Sequence, residues 1–276
     1  MQILTETYHA LDKIVFNFAD EVFYQIYEDK DQIIAMLNRP NRNIVTFHKY
    51  LVFRSVYPKI EPLEITIHVF RNDQDTQNVR GGLSEDKQEL FISSEIFQAN
   101  LTDEYRSSII HELNHIIYTR YPYFNYKFKP TSENRSLYNI NKIEYMFNKS
   151  ELTARNSQVS YYLHILNGKP VDVKTIDRIT NLDSMKDVLN TILNDKYSSS
   201  TLSIVIGLNA IRNKTKKGNP STLTLDEYYS YKRKTSEPTY MWLKSNTYKR
   251  MVKIYEQFNR EINEKISRYQ KEWGLT

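Results

Sequence analysis

Apolar residues recur at two different periods along this chain, and the change of period divides it. From Thr5 to about Asp29, Leu11, Ile14, Val15, Phe18, Val22 and Ile26 return at helical spacing, which predicts one amphipathic helix. Between Asn43 and Ala99 the runs become short, β-branched and aromatic. NIVTFHKYLVF, LEITIHVF and ELFISS, bounded by the turn-rich YPKIEP, RNDQD and RGGLSEDK, predict three or four strands of a twisted sheet. In LEITIHVF, Ile65, Ile67 and Val69 alternate with Thr66 and His68, the pattern of a strand with one buried face.

The helical period then returns. Thr102 reads as an N-cap, with Asp103 and Glu104 in the first turn, and the helix it opens runs to about Tyr118. RYPYFNYKFKPTSENRS reads as an irregular connection. A second helix is predicted from about Asn139 to Leu166, closed by Gly168 and Pro170. Further on, SMKDVLNTILN, TLSIVIGLNAI and the segment from Tyr240 to Trp273 are helical by pattern. In the last of these Met251, Ile254, Tyr255, Phe258, Ile262, Ile266, Tyr269 and Trp273 form one apolar stripe. RNKTKKGNPST, from Arg212 to Thr222, reads as a basic loop. The expected fold class is α+β, with a core unit at 1–170 and a helical part at 171–276.

Composition narrows the chemistry. With 276 residues, 40% hydrophobic content and 22 tyrosines, the chain can bury a sizeable core. It has no cysteine, so thiolate zinc sites, iron–sulfur clusters, disulfides and cysteine nucleophiles are excluded, and any metal must be held by His and carboxylate. A net charge of +5, with basic and acidic residues interleaved, argues against nucleic acid as a partner. The N-terminus does not read as a signal peptide, and no apolar run approaches a membrane span. The expectation is a soluble protein, cytoplasmic or virion-associated, with no membrane partner and with its oligomeric state open. Abundant Asn, Lys, Ile and Tyr with only 6 Gly suggest an AT-rich genome such as many phages or low-GC bacteria have.

One stretch carries chemistry: SSIIHELNHIIYTR, from Ser107 to Arg120. Residues four apart on a helix share a face, with Cβ atoms about 5–6 Å apart, so His111 and His115 can reach one ion. Glu112, beside the first histidine, is placed to take a proton from water at that ion. The competing reading is an ordinary amphipathic helix that carries two histidines. His9, His48 and His68 have no partner at metal spacing and read as structural. Lys214, Lys216 and Lys217 read as a solvated loop before a phosphate site.

HELNH on a helix after a sheet resembles the zincin metallopeptidases, over roughly Leu63 to Leu166. The metzincin branch would have Gly and His where this chain has Tyr118 and Tyr121, so the resemblance points to the gluzincin branch. That branch takes its third ligand from a glutamate on a following helix, for which Glu133, Glu144 and Glu151 are available. Glu133 lies in a loop-like setting, with Leu137 where the thermolysin-like pattern has Asp. Glu151 opens ELTAR, and many gluzincins place their glutamate in a Glu-x-x-Ala setting that Ala154 completes, so Glu151 is preferred and Glu144 is its nearest rival.

The resemblance implies a zincin-like core, one Zn2+ per chain held by His111, His115 and Glu151, and hydrolysis of peptide bonds in a peptide or protein substrate. An oxyanion stabiliser is also required, for which Arg155, Tyr162 and His164 are the candidates. The alternative function is a structural or assembly protein, of phage or viral type, that keeps a zincin-like scaffold without turnover.

Overall fold

The run NIVTFHKYLVF forms β1 (Ile44–Leu51) and LEITIHVF forms β2 (Leu63–Phe70), paired antiparallel with Phe47 opposite Ile67. The computed structural model describes residues 2–53, 60–71, 81–84, 89–97, 102–120, 143, 145–216 and 225–275. Within them β3 (Gly81–Leu83) and β4 (Glu89–Ser93) complete a four-stranded mixed sheet of order β1-β2-β4-β3. β4 runs parallel to β2, and β3 is antiparallel to β4. The expected alternation holds, since Ile65, Ile67 and Val69 are all fully buried. β3 was not expected, because Gly81 and Gly82 give it no apolar pattern.

Helices α1 (Gln2–Glu28) and α3 (Thr102–Arg120) supply the rest of the core, and α2 (Lys30–Leu37) lies between α1 and β1 in the chain. α1 contributes Val15, Phe18, Ala19, Val22 and Ile26, and α3 contributes Ile109, Ile110, Leu113, Ile116 and Ile117 to one cluster with the inward sheet residues. Each of these larger aliphatic side chains stabilises the folded state by about 1.5–3 kcal/mol when fully buried. This layer therefore holds α3 in place along most of its length. Arg106 of α3 adds a polar tie, with its Nε 3.4 Å from Asp20 Oδ1 and its guanidinium 4.2 Å from the Phe23 ring centre.

α4 (Lys149–Leu166) starts later than the pattern predicts, since the chain leaves helical geometry at Phe147 and Asn148. Asn148 acts as the N-cap: its Oδ1 accepts from the Ser150 backbone N–H at 2.9 Å, and its carbonyl accepts from Leu152 N–H at 2.9 Å. The expected continuous helix from Asn139 is thus interrupted before Glu151. Glu133 and Glu144 lie outside the described residues.

Four further helices precede the C-terminal one or form it with it: α5 (Val173–Thr180), α6 (Leu182–Asn194), α7 (Ser199–Lys216) and α8 (Leu225–Lys234), then α9 (Glu237–Glu272). α9 packs on α6 and α7, and its Tyr240, Leu243, Met251, Phe258 and Ile262 are buried. Helix α7 continues to Lys216, so Arg212–Lys216 is helical rather than part of a loop, and 217–224 lie outside the described residues. Gly168, after α4, has φ +85°, and a Cβ there would stand 2.8 Å from Trp273 Cε3, so a larger residue is excluded twice over.

Contacts divide the chain into two compact units, Met1–Asn125 with Ser157–Asn167, and Tyr126–Asn156 with Gly168–Thr276. The boundary expected at 170 follows chain order, whereas the contacts divide the chain inside α4. The polar bonds of α4 follow the same division. Arg155 Nη1 donates to Thr180 O at 3.0 Å and Asn156 Nδ2 to Glu261 Oε2 at 3.3 Å, both within the second unit. Ser157 Oγ bonds Asn114 Oδ1 at 3.2 Å, within the first. Among the described residues no helix is long and apolar enough to cross a membrane.

Candidate metal centre

α3 carries His111 and His115 one turn apart, with Ile110, Leu113, Ile116 and Ile117 anchoring the helix to the core. The two rings meet edge to face, with centroids 4.8 Å apart and Nε2 atoms 3.1 Å apart. Both are close to buried, at 9% and 5% exposure, as is Glu151 at 8%. Buried polar side chains are costly unless they are partnered, so these three are set apart from an ordinary solvated helix face.

α4 is fastened to α3 by a second set of polar contacts. His111 Nδ1 lies 3.0 Å from Gln158 Oε1, and Gln158 Nε2 donates to Ser107 O at 3.1 Å and Ser107 Oγ at 3.0 Å. Asn114 Nδ2 donates to Ile110 O at 2.7 Å, while its Oδ1 meets Ser157 Oγ, which also reaches Asp12 Oδ1 at 3.3 Å. Tyr161 packs edge-on against Phe16 with centroids 5.3 Å apart. Burial, assisted by Asp20, pushes its phenol up to about 12 against the pull of Arg106.

Glu151 is carried by the same continuous helix, two turns before Gln158, so it shares the face that Gln158 presents. One donor atom from each of His111, His115 and Glu151 lies within 4.8 Å of the others. Nitrogen and oxygen ligands of a tetrahedral zinc sit about 2.0–2.1 Å from the ion, which puts them about 3.3 Å from one another. The two imidazole nitrogens already stand at about that separation. Two histidines and one carboxylate are also the donor set of hydrolytic zinc sites, so the residues fit the ion.

Glu112 points around α3 toward the sheet, where it lines a small cleft with Leu90, Phe91, Ile92, Tyr105, Ser108 and Ile109. It is partly exposed, unlike the histidines on either side of it in the motif. Ala154, one turn after Glu151, is fully buried.

The three side chains expected to stabilise an oxyanion are placed elsewhere. Arg155 is buried and engaged: it bonds Thr180 O and stacks 5.2 Å from the Tyr145 ring centre, and an inverted Asn181 amide would accept from it at 3.0 Å. Tyr162 and His164 follow Glu151 on α4 by about three turns or more, a rise of about 16–20 Å. Tyr162 returns near its face without returning to its level, and His164 stands about 140° around the helix from it. The His164 ring is exposed and packs 5.9 Å from Phe16.

The remaining histidines have other partners. On the outward sheet face His68 Nδ1 is 2.8 Å from Thr46 Oγ1 and its ring stacks on Phe91, while His48 Nδ1 is 3.3 Å from Thr66 Oγ1 and 3.5 Å from Glu64. The His9 side chain lies outside the described residues. Gln158 and Ser107 were not expected from sequence. Their signal was positional: Gln158 is two turns after Glu151, and Ser107 one turn before His111.

Compared with known proteins, the chain matches no family model, no curated protein and no solved structure.

Proposed function

We propose that this chain is a zinc-dependent hydrolase of peptide bonds, a metallopeptidase of gluzincin type with one Zn2+ held by His111, His115 and Glu151. The observation that carries the reading is the convergence of these three donors, nearly buried, around a motif with Glu112 in the His-Glu-x-x-His order. An accidental pair of helical histidines needs neither a carboxylate from a second helix nor a cap that starts that helix three residues before it.

When bound, the ion supplies Lewis acidity to a water and to a carbonyl oxygen. His111 and His115 on α3 and Glu151 on α4 are the residues that would hold it. Glu112 stands on the adjacent face of α3, about 100° around the helix from His111, in the cleft beside β4. There it accepts the proton of the attacking water and returns it to the leaving amine, the general acid–base role that a positioned carboxylate serves. A peptide or protein is the substrate class.

Glu112→Gln tests this reading, because the amide cannot accept the proton while the three ligands are untouched. The variant is expected to bind zinc as the wild type does and to lose about 10²–10⁴-fold in peptide-bond hydrolysis. Hydrolysis at the wild-type rate removes Glu112 from the role. A zinc-loaded wild-type chain that cleaves nothing in a diverse peptide library favours the scaffold reading instead.

A further inference from the structure

The bonds of the Gln158 amide fix more than the packing of two helices. Its Nε2 faces the backbone carbonyl of Ser107 at 3.1 Å, and a carbonyl oxygen only accepts, so the nitrogen end of the amide must lie there. Ser107 Oγ, at 3.0 Å from the same nitrogen, is satisfied by the same orientation. The oxygen end, Oε1, is thereby turned toward His111 Nδ1 at 3.0 Å, and it too can only accept. The proton between them belongs to Nδ1. A neutral imidazole with its proton on Nδ1 carries its lone pair on Nε2, the atom that faces His115 Nε2.

We infer that Gln158, aimed by Ser107, is a positioning residue that sets the tautomer and ring plane of His111 and presents its Nε2 lone pair to a cation. Its consequence for zinc rests on the metal-centre reading above; the tautomer assignment does not. The device is an amide, which holds the Nδ1 proton without adding a negative charge beside the ring. Residues that hold a ligand histidine by its second nitrogen are worth about 10–100-fold in metal affinity.

Long-range ¹H–¹⁵N NMR of the chelator-treated full chain, at about pH 8 where an ordinary imidazole is neutral, reads the tautomer directly. The His111 pattern, identified by its loss in His111→Ala, is expected to show a protonated Nδ1 and an unprotonated Nε2. Gln158→Met, which keeps length and removes the amide, is expected to give mixed or inverted tautomers and to weaken zinc about 10–100-fold in a chelator competition. Gln158→Glu keeps an acceptor at the same reach and is expected to retain the wild-type tautomer. An Nε2–H tautomer in the wild type, or a wild-type pattern and zinc affinity in Gln158→Met, overturns the inference. Should Gln158→Met not fold, the wild-type and Gln158→Glu spectra decide it. A wild type with the expected tautomer and no zinc affinity overturns the functional reading alone.

Discussion

His111 and His115 turn their Nε2 atoms toward each other at 3.1 Å, one turn apart on α3. At this distance the Nε2–H of one neutral ring can donate to the lone pair of the other, or both lone pairs can face one cation. Glu151 offers a carboxylate oxygen within 4.8 Å, the third donor of the zinc site proposed above.

Glu151→Ala removes the one anionic donor of the three and leaves both histidines in place. Zinc affinity is expected to fall by at least about tenfold, measured by competition with a chromophoric chelator. An unchanged affinity assigns the third ligand to another residue.

Ala154 is fully buried one turn after Glu151, so there is no space for added volume on that side of α4. Ala154→Leu is expected to cost about 1–3 kcal/mol through overpacking, read from the midpoint of denaturant unfolding at constant slope. A neutral effect contradicts the tight packing inferred at this position.

Tyr161 links α4 to the Asp20–Arg106 pair, and its phenol is held up at about 12, above the value of about 10 expected in an unfolded chain. A raised folded value means that the neutral phenol is favoured by the fold. The stability it contributes is full below about pH 10 and is lost as pH rises toward about 12. Tyr161→Phe is expected to reduce the loss of stability over that window relative to wild type, measured by urea unfolding at each pH. An equal loss in both proteins sets the alkaline sensitivity elsewhere.

Asn148 caps α4 three residues before Glu151, through Ser150 N–H. Asn148→Ala is expected to cost about 0.5–2 kcal/mol and to fray the turn that carries Glu151, so zinc affinity should fall with stability. A loss of stability with unchanged zinc affinity separates the cap from the site.

What was legible in the sequence was what periodicity encodes. The alternation in LEITIHVF and the helical stripe around HELNH name the buried faces of β2 and α3, because water exclusion acts on every second or every third and fourth residue. β3 was missed because two of its three residues are glycines, which carry no pattern. The start of α4 was misplaced because Asn148 stops the helix by a side-chain bond, and a hydrophobic count does not register it. Tyr162 illustrates a different limit. Helical phase places a residue on a face, while its height along the axis and its bonding partners decide whether it reaches the site. Gln158 escaped notice because an amide belongs to no metal motif, although its role follows from which of its two ends can face a carbonyl.

The central claim is that His111, His115 and Glu151 are a zinc site, and the most direct measurement is the zinc content of the purified full chain together with its uptake on titration. About one zinc per chain is expected, lost in His111→Ala and in His115→Ala because each removes one of three protein ligands. A wild-type chain that is purified without a transition metal and takes up none on zinc titration contradicts the account.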